Sequence, residues 1–168
     1  MACLITQSIA LDCKDAVGGI KSIHLVNWAK TGFTVASGEV TATTIASGDV
    51  YTYEIPKATG SMTNTTNVSV ENGTVYNSTD VVFKLRRMST TKRNEMKLLA
   101  QGRTFCIVKN NNDEYWLVGK ESGCEVNAMV ANSGTAFGDA NGYDITLQAM
   151  DSEAPYKLQS SVVTTLGI

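Results

Sequence analysis

Histidine, the side chain that most often exchanges protons near neutral pH, occurs once in this 168-residue chain, at His24. It lies in an apolar stretch with no neighbouring motif that would supply a nucleophile or an orienting acid. A catalytic histidine acts with such partners, and the sequence contains no G-x-S-x-G, H-E-x-x-H or Walker A signature. We therefore predict a structural or surface role for His24 and a protein that is not an enzyme.

Oxygen-bearing side chains surround a glycine in the segment Asp139–Asp144, as they do in calcium-binding loops. The segment lacks the distal bidentate Glu and the preceding Asp of an EF-hand. A turn of Asp, Asn and Gly that leads into the last strand explains the pattern more simply. We predict neither a metal site nor a cofactor.

Charge is strongly separated along the chain, although the formal net charge is only -2. Positions 113–153 carry eight acids against Lys120 alone, whereas positions 84–103 hold seven cations opposed by Glu95. Two surfaces of opposite sign can bind each other on neighbouring copies, and a contact between different patches generates rings or filaments. The candidate subunit-contact cations are Lys84, Arg86, Arg87, Lys92, Arg93, Lys97 and Arg103.

Two other interpretations of this basic segment stay open. It is a solvated helix face without a partner, as most charge runs are, or it neutralises the phosphates of a nucleic acid. Positions 84–103 contain no aromatic residue that would stack on bases, and the chain is slightly acidic overall.

Composition favours one β-rich domain. A chain of this length can bury a single hydrophobic core, and its apolar fraction of 43% is ordinary. Pro56 and Pro155 are the only prolines, whereas Val, Ile and Thr, which prefer pleated surfaces, are plentiful. We predict a mainly β, single-domain sandwich or barrel over residues 1–155, with one flanking helix at about 90–101.

The termini and cysteines indicate a cytosolic origin. We expect no signal peptide, because no basic start precedes an apolar block, and no membrane span, because no apolar run is long enough. The four cysteines form no C-x-x-C pair and are expected to be reduced, with Cys106 in the core. A Cys3–Cys13 bridge is an alternative on spacing.

Local patterns place the elements. Ser89 to Thr91 offer N-cap hydroxyls to the helix, Met96, Leu99 and Ala100 share its apolar face, and Gly102 ends it.

Alternation of apolar and polar residues predicts a strand with one buried face that carries Val81, Phe83 and Leu85. Strands are expected at 20–29, 39–46, 50–56, 104–109, 114–119, 124–131 and 143–150.

Three segments are expected to project. Asn72-Gly73 predicts a type I′ turn that pairs Val70 with Val75, within a polar hairpin at about 60–80 that covers a neighbouring subunit. Phe137, alone among small residues in a glycine-rich loop, is a candidate interface anchor; folding of this residue over its own core is the alternative. Residues 156–168 are predicted to form an extended C-terminal arm.

Several segments resemble small structural proteins of tailed bacteriophages, including the crAss-like and related gut phages. The similarity spans about residues 1–155. It is carried by Thr91–Gln101, Asn111–Gly119 and Gly138–Tyr143, with Met1–Cys3, Leu11–Asp15 and Gly18–Ile20 near the start.

This resemblance implies a virion protein of the tail or neck, made in the host cytoplasm, with a tail-tube-like fold around a DNA channel. It implies a tail tube, tail hub or head-tail connector subunit, in a homo-oligomeric ring of six or a multiple of six copies, with other tail or neck proteins as partners. It supplies no catalytic residues. The competing hypotheses are a receptor- or carbohydrate-binding β-module and a nucleic-acid-binding protein that uses the 84–103 segment.

Overall fold

The structure is a computed structural model that describes residues 4, 5 and 7–168. Strands dominate this part of the chain, which also contains two α-helices and a short 3-10 turn at Ser47–Asp49. In chain order the elements are β1 (Ile20–Asn27), β2 (Phe33–Ala36), β3 (Glu39–Thr43), β4 (Val50–Glu54), β5 (Ser61–Ser69), β6 (Thr74–Arg86), α1 (Thr90–Gln101), β7 (Thr104–Asn110), β8 (Tyr115–Val118), β9 (Glu125–Asn132), β10 (Gly142–Asp151), β11 (Tyr156–Leu158) and α2 (Ser160–Leu166).

The strands form two sheets. The larger sheet has the order β2-β3-β11-β8-β7-β1-β4 and is mixed, because β11 runs parallel to β3. The smaller sheet, β5-β6-β10-β9, is antiparallel throughout. The prediction of a mainly β chain is confirmed, and the two sheets pack as a single-domain β-sandwich.

The main core lies between the sheets. Val81, Phe83 and Leu85 of β6 are buried as their alternation predicts, and they meet Ile23 and Leu25 of β1. Cys106 is fully buried in the same core, as expected. Burial of this apolar surface contributes roughly 25 cal/mol per Å².

Helix α1 begins and ends where the sequence predicts. Ser89 is its N-cap and accepts a hydrogen bond from the amide of Lys92, and Gly102 is its C-cap. Met96 and Leu99 are buried against the main core, but Ala100 is exposed, so the apolar face is narrower than predicted. No helix in the described ranges is long and apolar enough to cross a membrane.

The C-terminal segment is not an extended arm. Leu158 of β11 and Val162 and Leu166 of α2 are buried against Phe105 and Ile107 in a second core on the other face of the larger sheet. The spacing of Val162 and Leu166 puts both on one side of the helix. The flanking Ser, Val and Thr residues are weak helix formers, so packing rather than propensity makes this helix.

The hairpin of β5 and β6 forms, but its turn differs from the prediction. Val68, rather than Val70, lies opposite Val75, and residues 70–73 make a four-residue loop. A type I′ turn needs positive φ at both central residues, whereas within this loop only Gly73 has a positive φ, of 63°.

Candidate subunit-contact surfaces

Most of the predicted contact residues lie at the two ends of β6, whereas Arg103 lies beside Glu125 of β9. This strand has thirteen residues, so its ends are about 40 Å apart at 3.3 Å per residue. Arg86 and Arg87 stand where β6 leads into α1, whereas Asn72 and Gly73 lie in the loop that precedes β6. The structure therefore separates these residues into two surfaces instead of bringing them together.

The first surface, the basic end, consists of five cations that form no salt bridge to any described residue. They extend from the end of β6 through the first two turns of α1, and all but Lys92 are exposed. The ammonium of Lys92 donates to the main-chain oxygen of Arg86, which ties the helix to the strand. The basic end comprises Arg86, Arg87, Lys92, Arg93 and Lys97.

Lys84 and Arg103 differ from these five cations because they are paired within the chain. The ammonium of Lys84 lies 3.3 Å from a carboxylate oxygen of Asp144, and Nε of Arg103 lies 2.6 Å from Oε1 of Glu125. Both acids belong to the acidic 113–153 segment. Part of the predicted charge pairing between copies is thus satisfied within one copy.

Other acids of that segment also organise their own chain. Asp113 contacts Lys21 and Lys109, which lower the pKa of its carboxyl group. Glu121 accepts hydrogen bonds from the amide and hydroxyl of Ser152, and these bonds lower its pKa. In total seven of the eight acids bond to described residues: Asp113, Glu114, Glu121, Glu125, Asp139, Asp144 and Asp151. Four of them, Asp113, Glu114, Glu125 and Asp144, pair with a lysine or arginine, so the expected acidic patch is partly neutralised inside the chain.

The second surface, the apolar tip, is the outer part of the β5–β6 hairpin. Pairing of β10 with β6 stops at Asn77, so the hairpin beyond this residue extends past its neighbour. Val68, Val70, Val75 and Tyr76 remain exposed there, with Val70 at 93%. Asn72 and Gly73 were predicted as contact residues because of their turn chemistry. The exposed apolar residues beside them were not predicted as contacts, although their clustering around the turn is visible in the sequence.

Phe137 lies on the glycine-rich loop beside the basic end. Its side chain is completely exposed, so it does not fold over its own core. The loop is held in place because Asn141 accepts hydrogen bonds from the amides of Arg87 and Met88. Asp139 accepts from the amides of Thr135 and Ala136, which lowers its pKa.

His24 is buried on β1, where its two ring nitrogens are 3.0 Å from the hydroxyl of Ser22 and 2.9 Å from that of Thr52. Burial, assisted by the nearby charge of Lys109, lowers its pKa from 6.5 to about 4. The imidazole is therefore neutral at physiological pH. Thr52 lies on the neighbouring strand β4, Ser22 lies on β1 itself, and no acid among the described residues bonds to the ring.

In the ranges 4–5 and 7–168, no group of three or more His, Cys, Asp or Glu side chains is arranged to hold a metal ion. The fold and its surfaces define a β-sandwich protein with a basic end and an apolar tip at opposite ends of one sheet. No protein-family model, curated protein or solved structure significantly matches the chain.

Proposed function

We propose that this chain is a structural virion protein of a tailed bacteriophage, a ring-forming subunit of the tail tube, tail hub or head-tail connector. The observation that carries the proposal is the placement of the apolar tip and the basic end at opposite ends of β6. Two different surfaces that face away from each other suit a head-to-tail contact, which closes into a ring when the rotation permits. A six-fold ring, or a multiple, is the expected closure.

Burial of the apolar tip is the main term that stabilises this contact. Val68, Val70 and Val75 are more than half exposed in the single chain, and each buried CH₂ group contributes about 0.8 kcal/mol. Exposed ion pairs contribute only about 0–1 kcal/mol each. The cations of the basic end therefore set the register, whereas apolar burial and strand pairing hold the ring together.

Half of the acids in the 113–153 segment pair with cations of their own chain, so the basic end of the next copy is left with the other acids. Glu153 forms no bond to any described residue and Glu71 lies beside the tip. A tip that carries Glu71 can place this acid against the basic end of the next copy. This gives the head-to-tail contact one charge match as well as its apolar area.

Assembly of the full chain tests the proposal. We expect Val70→Lys at the tip to abolish rings seen by negative-stain electron microscopy and to shift sedimentation towards the monomer, because it removes apolar contact area and places a cation against the basic end of the next copy. Thr165→Lys, which adds the same charge at an exposed position of α2, serves as the control and should leave rings intact. A wild-type chain that stays monomeric at all concentrations, alone and with phage tail proteins, would exclude a ring.

A nucleic-acid-binding function is the second candidate, since the five cations of the basic end have no acidic partner among the described residues. Binding through phosphates weakens steeply with salt. Tight DNA binding that falls with salt and is lost in Arg86→Glu/Arg87→Glu, in a chain that forms no rings, would favour this candidate.

A further inference from the structure

Strand β4 is an open edge of the larger sheet. It pairs with β1 on one side and with no described strand on the other. An open edge presents unpaired main-chain amides and carbonyls, which bind an added extended segment by strand pairing.

A groove between β4 and α1 runs beside this edge. It consists of two adjoining cavities of about 460 and 210 Å³, and Tyr53 and Glu95 line both. Tyr51 and Leu98 border the smaller cavity and are 49% and 63% exposed, and Met96 lies in the larger one. Side chains from a strand added to β4 therefore have an apolar space to enter.

The charges that line the groove balance each other. Arg86 and Lys92 lie in the larger cavity together with Glu54 and Glu95. An uncharged segment suits this lining, because it brings no additional ion to be desolvated.

Residues 4–11 are such a segment. They contain no charged residue and no proline, so each amide is free to donate to a neighbouring strand. Leu4, Ile5, Ile9 and Leu11 are at least 77% exposed. In an extended strand Ile5, Ile9 and Leu11 fall on one face, because successive side chains alternate.

The lengths agree as well. Eight extended residues span about 23 Å, and β4 with the two residues that follow it spans about 20 Å, at 3.3 Å per residue. One copy of the segment covers the whole edge.

Hydrogen bonds fix the base of this segment beside the β7–β8 turn. The amide of Val17 donates to Asn112, and the side-chain amide of Asn111 donates to the carbonyl of Gly18. These asparagines form the β7–β8 turn, which lies on the opposite side of β1 from β4. Val17 and Gly18, at the base of the segment, are thus held on the far side of β1 from the β4 edge.

We propose that residues 4–11 of one copy add as a strand to β4 of a second copy and insert Ile9 and Leu11 into its groove. The proposal rests on the self-assembly proposed above and specifies one of its contacts. It makes the N-terminal segment a strand donor and the β4 edge its acceptor.

Association of the full chain provides the first test. We expect Ile9→Asp to weaken self-association, measured by sedimentation, at least about tenfold, because it removes a buried apolar side chain and adds a charge. Ser8→Asp adds the same charge to the opposite face of the segment and is the matched control. Equal effects of the two changes, or no effect of Ile9→Asp, would overturn the donor-strand proposal.

Crosslinking between two differently labelled chains locates the contact. In a Cys3→Ser/Cys13→Ser background, a chain with Ile9→Cys is mixed with a chain that carries Leu98→Cys and then oxidised. We expect a disulfide-linked heterodimer, and none when Thr165→Cys replaces Leu98→Cys. Heterodimers in equal yield with both partners, or none with Leu98→Cys, would refute the proposed contact.

A chain that carries both Ile9→Cys and Leu98→Cys tests insertion within one copy. A crosslinked monomer as its only product would overturn the exchange between copies. Rings that form without the Ile9–Leu98 crosslink would support the proposed function and refute the donor-strand proposal. A chain that stays monomeric would refute both the ring and the donor-strand proposal.

Discussion

Lys84 and Asp144 lie directly opposite each other on β6 and β10, and their side chains form a salt bridge of 3.3 Å. Both residues belong to the oppositely charged segments that suggested contacts between copies. The antiparallel register of two neighbouring strands brings them together inside one chain. Opposite charge along the sequence therefore does not by itself identify an intermolecular contact.

This pair is expected to contribute little to stability. A double-mutant cycle of Lys84→Ala and Asp144→Ala should give a coupling free energy of unfolding of about 0.5 kcal/mol, because both side chains are about half exposed. Urea denaturation measures it. Lys157→Ala with Asp144→Ala, whose side chains lie on different sheets, is the control and should give no coupling. A coupling above about 2 kcal/mol for the first pair would contradict the exposed geometry.

Gly142 begins β10 opposite Arg86, and a Cβ atom there would collide with the main-chain oxygen of Leu85. We expect Gly142→Ala to lower the free energy of unfolding by about 2 to 4 kcal/mol, because backbone atoms must move to relieve the overlap. Gly138→Ala, four residues earlier with open space around its Cβ position, is the matched control. Equal stability of the two variants in urea would show that the strand accommodates the methyl group.

His24 should make stability depend on pH. Its pKa is lowered to about 4 in the folded chain and is about 6.5 when unfolded. Between these values the unfolded state binds a proton that the folded state does not, so the free energy of unfolding falls as pH decreases from 6.5 to 4, by about 2 kcal/mol. His24→Gln should lose this slope. An identical slope in both proteins would assign the effect to other groups.

The cysteines should differ sharply in reactivity. Cys13 is exposed, whereas Cys106 and Cys124 are buried, and the hydrogen bond with Cys106 together with burial raises the pKa of Cys124. The thiolate is the reactive form. In a Cys3→Ser chain, iodoacetamide should therefore modify Cys13 alone under native conditions, as measured by mass spectrometry. Modification of Cys124 at a similar rate would mean that the core opens readily.

The reactivity of Cys13 depends on whether its thiol is reduced, as the sequence predicts. Cys13, Cys106 and Cys124 form no disulfide with any described residue. Cys3, the partner of the alternative Cys3–Cys13 bridge, lies outside the described residues. Thiol quantification of the unfolded wild-type chain, with four free groups expected, distinguishes the two states.

Local sequence patterns were sufficient to predict several secondary-structure elements. The alternation around Phe83 predicted a strand with one buried face, and Ser89 and Gly102 predicted both ends of α1. These features depend on neighbours within a few residues. The turn at Asn72-Gly73 was located correctly, but its pairing was not, because the register of β5 against β6 also depends on the rest of the sheet.

The amino-acid sequence by itself determined the mainly β class, the position of α1 and the separation of charge, because side-chain period, capping chemistry and residue type are local properties. Only the tertiary structure decided that α2 packs on the second face of the larger sheet and that Lys84 meets Asp144. Only the tertiary structure also decided that the apolar tip and the basic end lie far apart and that β4 is an open edge. These depend on strand order and register, which long-range packing selects.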